Sequence, residues 1–516
     1  MTNLPLLDIA IIIVYLIAMV LVGIYFSRKN TSADQFTTAA GKIPGWAIGI
    51  SIYATFLSSN TFLGVPGKAF GGNWNAFAFS LSMPFAAWFA TKYFVPFYRS
   101  TGEVSAYTNL EKRFGTWART YAVICFLLTQ LARIGSIFFG ISLTLQALTG
   151  YNMVTIMVVV GICIVIYTVM GGIEAVIWTE VVQGILKTLG AVIIIYLVIK
   201  EVPGGFSDIL KLGSEDHKFS LGTVEFDFVS SSFWVVLLYG FFINLNNFGM
   251  DQNYVQRYHT ATSPGEANKS VWLCVWIYVP VSLMFFVIGT CLYTYYMQNP
   301  ELLQTIKLQA ASEQLGLALN DSEVIRFAAG MKPSDYADKV MPHFMVHMIP
   351  TGLLGLIVSA ILSAAMSTIS SGMNASATVF TEDIYKRYFN PGSTEKNSLR
   401  ILYIATVIVG LTGMLCGIAM IGIKSLLDVW WTLSGIFAGG MLGLFLLGLI
   451  SKNVTNKDAL TGTLTGILVI LWMTFSYLIP DQYSYLKNPL HANMIIVVGT
   501  LSIFLAGNLS LKLRKK

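Results

Sequence analysis

The chain consists largely of apolar segments long enough to cross a lipid bilayer. A transmembrane helix needs about 20 apolar residues, and about thirteen segments of the sequence meet that length to within a few residues. They lie near 6–27, 46–71, 75–98, 121–148, 152–170, 177–200, 232–250, 270–297, 350–380, 399–422, 425–450, 458–479 and 491–511. Continuous apolar runs predict helices, since a barrel would show short alternating strands. The sequence therefore predicts an all-α integral membrane protein.

Composition excludes several functional classes. Only 11% of the 516 residues are charged, against roughly 25% in a soluble domain. The net charge of +6 is explained by membrane topology, and we expect no nucleic-acid partner. The five cysteines lie in apolar runs without CxxC pairing, which argues against disulfides and zinc. The sequence has no GxxxxGK[ST] phosphate loop and no catalytic cluster at one depth, so we expect neither ATP use nor an enzyme.

Lysine and arginine predict the orientation of the chain. Cytoplasmic connections carry the excess of these residues, and the pattern fits when the N-terminus is outside and the C-terminus inside. The inner positions include Arg28, Lys29, Arg99, Lys112, Arg113, Arg257, Lys386, Arg387, Lys452, Lys512, Arg514, Lys515 and Lys516. The short outer connections hold Lys68, Lys424 and Lys487.

Two spans carry unusual polar clusters. In the span near 350–380, Ser363, Ser367, Ser370, Ser371 and Asn374 recur at the spacing of one helix face. Such oxygens suit either helix–helix contact or a monovalent cation site. The second span crowds polar residues at 55–61, followed by glycine and proline. This pattern predicts a discontinuous helix whose freed carbonyl groups line a cavity, although a helix ending near residue 64 is the alternative.

Two ionisable residues lie inside predicted spans. Arg133, in the middle of the fourth span, could clamp a substrate anion, form an internal ion pair or bond to carbonyl groups. We find no acidic residue at middle depth to pair with it, which favours the anion. Glu180, in the sixth span, shares a depth with Ser370 and Ser371. It could bind Na⁺ or H⁺, or it could pair with Lys187 seven residues later.

Four motifs carry a resemblance to a known family. They are LEKRFG at 110–115, YTVMGGIEAVIWTEVVQG at 167–184, QNYVQRY at 252–258 and MSTISSGMNASATVFTEDIYKRY at 366–388. With them the chain resembles the sodium/solute symporter family over almost its whole length. The resemblance implies a LeuT-type core, in which five spans are repeated with inverted topology and the first helix of each repeat is broken. Here the broken helices would be the second and seventh spans.

The resemblance also implies a division of the chain. It comprises a first span and inner loop (1–45), a first repeat (46–200), an outer loop (201–231), a second repeat (232–450) with an outer segment (298–349), and two C-terminal spans with a basic tail (451–516).

Two sodium sites follow from the same resemblance. The first would use carbonyl groups of the broken helix and groups of the serine-rich helix, at Ala54, Leu57, Ala364, Ser367 and Thr368. The second would use Glu180, Ser367, Ser370 and Ser371. One or two sodium ions would therefore be co-transported.

Within the family the chain is most similar to the bacterial sialic acid symporters. Those proteins have an arginine at the position of Arg133 that contacts the carboxylate of the sugar acid. The predicted substrate-binding residues are Phe56, Ser58, Thr61, Ser80, Arg133 and Asn247. The sequence departs from that pattern at three positions, with Glu180 for aspartate, Phe56 for threonine and Ser80 for glutamine.

The resemblance implies sodium-coupled uptake of a small organic solute by alternating access. An acidic sugar such as sialic acid is the first expectation. A neutral sugar, a monocarboxylate, an amino acid or a proton-coupled mechanism through Glu180 are the alternatives. We expect a monomer in the bilayer of the cytoplasmic membrane. No connection is large enough to form the output domain of a receptor.

Overall fold

The computed structural model describes residues 4–27, 32–422 and 426–514, and helices form most of these ranges. The basic residues Arg28, Lys29, Lys424, Lys515 and Lys516, which enter the predicted orientation, lie outside them. In the described part of the chain, nine helices are individually long and apolar enough to cross a bilayer. Their bounds are Leu6–Phe26, Thr116–Gln146, Gly171–Glu201, Pro264–Gln298, Leu353–Phe389, Glu395–Ala419, Val429–Ile450, Asn456–Leu478 and Met494–Arg514. The chain is therefore a multi-pass helical membrane protein, as predicted.

Two further predicted spans have a different form. The segment near 75–98 is a series of short helical pieces, Trp74–Phe77, Ala78–Leu81, Met83–Phe89, Ala90–Phe94 and Val95–Thr101. The segment near 152–170 contains the apolar helix Met153–Val169, which continues into the next helix through Gly172. Gly172 has φ 58° and ψ −166°, a conformation that glycine adopts without a Cβ clash. Thirteen crossings with the N-terminus outside remain a prediction.

The second span is broken, which confirms the predicted discontinuity. Its two helices, Gly45–Phe56 and Ser59–Gly71, are bent by 56°. The break falls on Leu57 and Ser58, whose backbone is extended, and so lies inside the polar cluster rather than at the glycine and proline beyond it. The last carbonyl groups of a helix have no intrahelical donor. The break therefore places carbonyl groups that have no donor within the helix deep in the protein, and we call these two helices together the broken helix.

The seventh span is also broken, with Phe233–Gly249 and Gln252–Thr260 bent by 45°. The second of these helices corrects the sequence analysis, which assigned Arg257 to an inner connection. Arg257 is instead 1% exposed and sits inside the protein. The polar sequence of this helix hides it from a hydropathy criterion, because its side chains face other helices rather than lipid.

The segment 298–349 is largely helical. It contains Pro300–Leu315, Ser322–Ala329, the turn Pro333–Asp335 and Ala337–Met348. The last of these packs on Ser59–Gly71, the second half of the broken helix. A further helix, Gly205–Glu215, lies in the loop after the sixth span.

The helix Leu353–Val379, which we call the serine-rich helix, runs through the centre of the molecule. Nearly all of its residues are buried, and it contacts Thr116–Thr149, Met153–Glu201 and Leu6–Ser27. Its first turn is capped from the N-terminal helix, where Asp8 Oδ1 accepts hydrogen bonds from the backbone amides of Gly352 and Gly355 at 2.7 Å each. A carboxylate at a helix N-terminus satisfies amides that have no intrahelical acceptor.

The predicted orientation can be tested with two single cysteines on exposed positions. Ser214→Cys in the helix Gly205–Glu215, which the predicted orientation places outside, should react with a membrane-impermeant maleimide added to intact cells. Asn453→Cys, between the helices that end at Ile450 and begin at Asn456, should react only after permeabilisation. The unsubstituted chain gives the background of its five native cysteines. If Asn453→Cys and not Ser214→Cys were labelled in intact cells, the predicted orientation would be wrong.

Candidate substrate and cation sites

The broken helix, the serine-rich helix and the helix Gly171–Glu201 meet at a buried lysine. Lys187 lies on Gly171–Glu201 and is 0% exposed. Its Nζ donates to the carbonyl oxygens of Ala54, at 2.7 Å, and Leu57, at 3.0 Å. It also donates to Ser367 Oγ at 2.5 Å. An ammonium group has three donors and no acceptor, so these three oxygens satisfy it completely.

The other predicted residues of the first sodium site belong to the same cluster. Ser367 Oγ is 3.2 Å from the carbonyl oxygens of both Ala54 and Ala364. Thr368 Oγ1 is 3.2 Å from Ala364 O and 3.3 Å from Thr55 O. The structure thus brings all five predicted residues together. Three of them (Ala54, Leu57 and Ser367) contact the Lys187 ammonium directly.

The second predicted site also contains a cationic side chain. Arg257 Nη2 donates to Glu180 Oε2 and to Ser371 Oγ at 2.7 Å each, and Arg257 Nε donates to Ser51 Oγ at 2.8 Å. Glu180 additionally accepts hydrogen bonds from the hydroxyls of Ser51 and Ser371. Ser370 does not join this group, because its hydroxyl donates to the carbonyl of Ser367 at 3.1 Å.

The partner of Glu180 is therefore Arg257, and the suggested pairing of Glu180 with Lys187 is wrong. Sequence reasoning missed both cations for different reasons. Lys187 is visible in the sequence as a charged residue inside an apolar span, which is itself a sign of function. Its spacing from Glu180 suggested an ion pair and gave no indication of the carbonyl groups that it contacts. Arg257 gives no such signal, because it lies in a polar stretch that resembles a loop.

Arg133 lies between the broken helix and the break of the seventh span. Its Nη2 donates to the carbonyl of Thr55 at 3.0 Å and to the hydroxyl of Tyr254 at 3.3 Å. Asp251 Oδ2 is 3.7 Å from Nη1, beyond hydrogen-bonding distance. The expectation that no acid lies at this depth was wrong, because Asp251 occupies the break between two helices and so falls outside an apolar segment.

The six predicted substrate-binding residues line a single cavity. Phe56, Ser58, Thr61, Ser80, Arg133 and Asn247 all contribute to its wall. Tyr239, Tyr278, Trp430 and Trp431 add aromatic surface, and Asp251 adds a carboxylate. The cavity measures about 90 Å³, far less than the roughly 300–1,000 Å³ of common ligand pockets. The surrounding helices must therefore separate before a sugar-sized molecule can enter.

Two departures from the sialic acid symporter pattern change the wall of this cavity. The ring of Phe56 lies 4.6 Å from that of Tyr254 and 5.5 Å from that of Tyr278, measured between centroids. Ser80 Oγ is 2.7 Å from Ser282 Oγ, so its hydroxyl already has a protein partner. The wall is consequently aromatic at Phe56, whereas at Ser80 it keeps a pair of hydroxyl groups.

The family model described as "Sodium:solute symporter family" matches residues 36–466. The chain belongs to the sodium:solute symporter family. It is therefore a transporter and not an enzyme.

Curated relatives match along nearly the full chain. The Sodium/sialic acid symporter NanT of Aliivibrio fischeri is 32% identical over 496 residues, which cover 95% of this chain and 91% of that protein. The Sodium/sialic acid symporter SiaT of Proteus mirabilis is 31% identical over 505 residues, covering 97% and 94%. Mouse Sodium-coupled monocarboxylate transporter 2 is 27% identical over 477 residues, covering 89% and 71%.

A solved structure confirms the fold. A Na⁺-coupled sialic acid symporter in a substrate-bound outward-open state superposes with a TM-score of 0.86 at 30% identity, covering 99% of this chain and 98% of that one. The nucleobase-cation symporter Mhp1 superposes with a TM-score of 0.55 at 13% identity, covering 92% and 94%, which shows likeness of fold alone. The predicted LeuT-type architecture is confirmed.

The buried pair Glu180–Arg257 predicts a strong asymmetry between single and double variants. Glu180→Gln and Arg257→Gln each leave one buried charge without its partner, which costs about 3–5 kcal/mol. The double variant removes both charges and should lose less stability than the two single losses added together. Thermal unfolding of the purified protein measures both effects.

A surface pair provides the matched control. Lys269 is 2.8 Å from Glu266 and its side chain is 75% exposed, so Lys269→Gln should change stability by less than about 1 kcal/mol. Equal losses in Glu180→Gln and Lys269→Gln would contradict the buried ion pair.

Proposed function

We propose that this chain is a secondary active symporter of the cytoplasmic membrane that takes up an acidic sugar such as sialic acid together with sodium, and that it works as a monomer. The placement of Arg133 carries the proposal. This guanidinium borders the cavity beside the break of the second span. Alternating access would expose the cavity first to the outside and then to the inside.

The hydrogen bonds of Arg133 leave capacity for a substrate carboxylate. Its Nη2 is used by the Thr55 carbonyl and the Tyr254 hydroxyl. Its Nη1 faces Asp251 only at 3.7 Å, and no hydrogen bond is formed at that distance. A guanidinium group offers five donors in a planar fork that fits a carboxylate. A carboxylate entering the cavity would therefore find donors that the protein does not fully use.

The remaining wall fits the polyol part of a sugar. Ser58, Thr61 and Asn247 offer hydroxyl and amide groups, while Trp430 and Tyr278 offer ring faces. Hydrogen-bonding groups set against aromatic surface match a sugar, which has hydroxyl edges and apolar ring faces. Support for sodium coupling comes from the family and from the names of the relatives.

A monocarboxylate is the second candidate substrate. Arg133 would bind its carboxylate equally well. The aromatic ring of Phe56, packed against Tyr254 and Tyr278, gives the cavity an apolar surface that does not require a polyol. The similarity to a sodium-coupled monocarboxylate transporter agrees with this candidate.

Uptake into proteoliposomes tests the proposal and separates the candidates. Radiolabelled sialic acid should accumulate when an inward sodium gradient is imposed, and competition by hexoses and small monocarboxylates identifies the substrate class. Arg133→Ala should weaken uptake of an acid by about 10- to 100-fold, because a hydrogen bond to a charged group contributes about 1.5–3 kcal/mol.

The matched control is Arg400→Ala, which removes an arginine from an exposed position at the start of Glu395–Ala419. It should transport as the unsubstituted chain does. Acid uptake that is undiminished in Arg133→Ala would refute the carboxylate clamp. Uptake that is indifferent to the sodium gradient would refute sodium coupling.

A further inference from the structure

The contacts of the Lys187 ammonium are those that a bound monovalent cation would make. Two of its acceptors are carbonyl oxygens at the break of the second span, and the third is a hydroxyl of the serine-rich helix. In transporters of this fold, unwound backbone carbonyls coordinate the coupling cation. The same kind of oxygen surrounds the nitrogen of Lys187 at 2.5–3.0 Å.

The charge of Lys187 is balanced by dipoles rather than by an acid. In residues 4–27, 32–422 and 426–514, no carboxylate oxygen lies within ion-pair distance of its Nζ. The nearest acid along its own helix is Glu180, two helical turns away, which is paired with Arg257 at 2.7 Å. The carbonyl groups of the break and the Ser367 hydroxyl therefore stabilise the positive charge of the ammonium with their oxygen dipoles, as they would stabilise that of a metal ion.

A sodium ion and the Lys187 ammonium cannot share this position. Both would need the oxygens of Ala54, Leu57 and Ser367 at nearly the same distances. Two positive charges so close together in a buried site repel strongly, because little solvent screens them. The lysine side chain is covalently attached and 0% exposed. Its ammonium therefore does not dissociate from the site as a free ion does.

We propose, building on the symport proposed above, that Lys187 is a resident cation that replaces sodium at the first site. The site then contributes no sodium to the transport stoichiometry, and any co-transported sodium binds elsewhere. The ammonium performs the structural part of the ion's role by joining the broken helix to the serine-rich helix. Removing it should create a sodium site from oxygens that are already in place.

Sodium-dependent thermal stability of the purified full chain tests this without a substrate. Unfolding is followed in NaCl and in KCl at equal ionic strength. Lys187→Ala should gain a sodium-specific rise in Tm of a few degrees over the unsubstituted chain, because an ion that binds only the folded state stabilises it. The double variant Lys187→Ala/Ser367→Ala should lose this gain. Lys200→Ala removes an exposed lysine from the same helix and should respond as the unsubstituted chain does.

A second comparison decides the matter even if Lys187→Ala does not fold. Thr368→Ala alone should leave the sodium response of the chain unchanged, because Thr368 belongs only to the first predicted site, where the lysine replaces sodium. A sodium response that is present in the unsubstituted chain and lost in Thr368→Ala would overturn the proposal. A folded Lys187→Ala that responds to sodium no more than Lys200→Ala does would overturn it as well.

The outcomes are independent of the transport assay. Neither a substrate nor a gradient enters the stability measurement, so a wrong substrate class leaves it readable. Absence of sodium-driven uptake would refute the proposed symport. The proposed role of Lys187 would still be tested by the Tm comparison.

Discussion

The centre of the molecule depends on the carbonyl groups that the break in the second span leaves without helical donors. Unsatisfied backbone groups at membrane depth cost several kcal/mol each, so the neighbouring helices must supply donors. Lys187 donates hydrogen bonds to the carbonyl oxygens of Ala54 and Leu57. Arg133 and Thr368 donate to that of Thr55, and Ser367 also donates to that of Ala54. The broken helix is thereby tied to three other helices at one depth. The substrate cavity and both candidate cation sites are built around these ties.

Charge at this centre is unbalanced in a way that suits an anionic substrate. Three cationic side chains, Lys187, Arg133 and Arg257, lie near two carboxylates, Glu180 and Asp251. Arg257 and Glu180 neutralise each other at 2.7 Å, whereas Asp251 approaches Arg133 only to 3.7 Å. Lys187 contributes the positive charge that has no acidic counterpart in this group. A substrate carboxylate beside Arg133 would restore neutrality, so the replacement of a metal ion by an ammonium keeps the electrostatic preference for an acid.

The sequence predicts those parts of this arrangement that depend on the residue pattern of one helix alone. The polar stripe of the serine-rich helix, the polar residues before Gly64 and the isolated Arg133 each stand out against an apolar background. The parts that it does not predict depend on how helices face one another. Arg257 and Asp251 lie in a polar stretch that only tertiary packing buries, and nothing in the spacing of Glu180 and Lys187 tells which of two cations pairs with the acid. A spacing of seven residues puts both side chains on one helix face, two turns apart. At those two levels they meet different neighbours, since Glu180 pairs with Arg257 and Lys187 bonds to the break of the second span.

A resident cation has different consequences from a bound ion, even where the contacts are alike. A ligand shifts a conformational equilibrium only through its differential affinity for the two states, and a free ion does so only on the side of the membrane where it is present at sufficient concentration. Sodium is abundant on one side, so its binding carries direction. The ammonium of Lys187 is equally available in every state because it is covalently attached, so its bonds to Ala54 and Leu57 bias the equilibrium by a constant amount. If the helix Gly171–Glu201 separates from the broken helix during transport, those bonds break and must be replaced inside the protein. The direction of transport must then come from the substrate and from whatever ion binds outside this site.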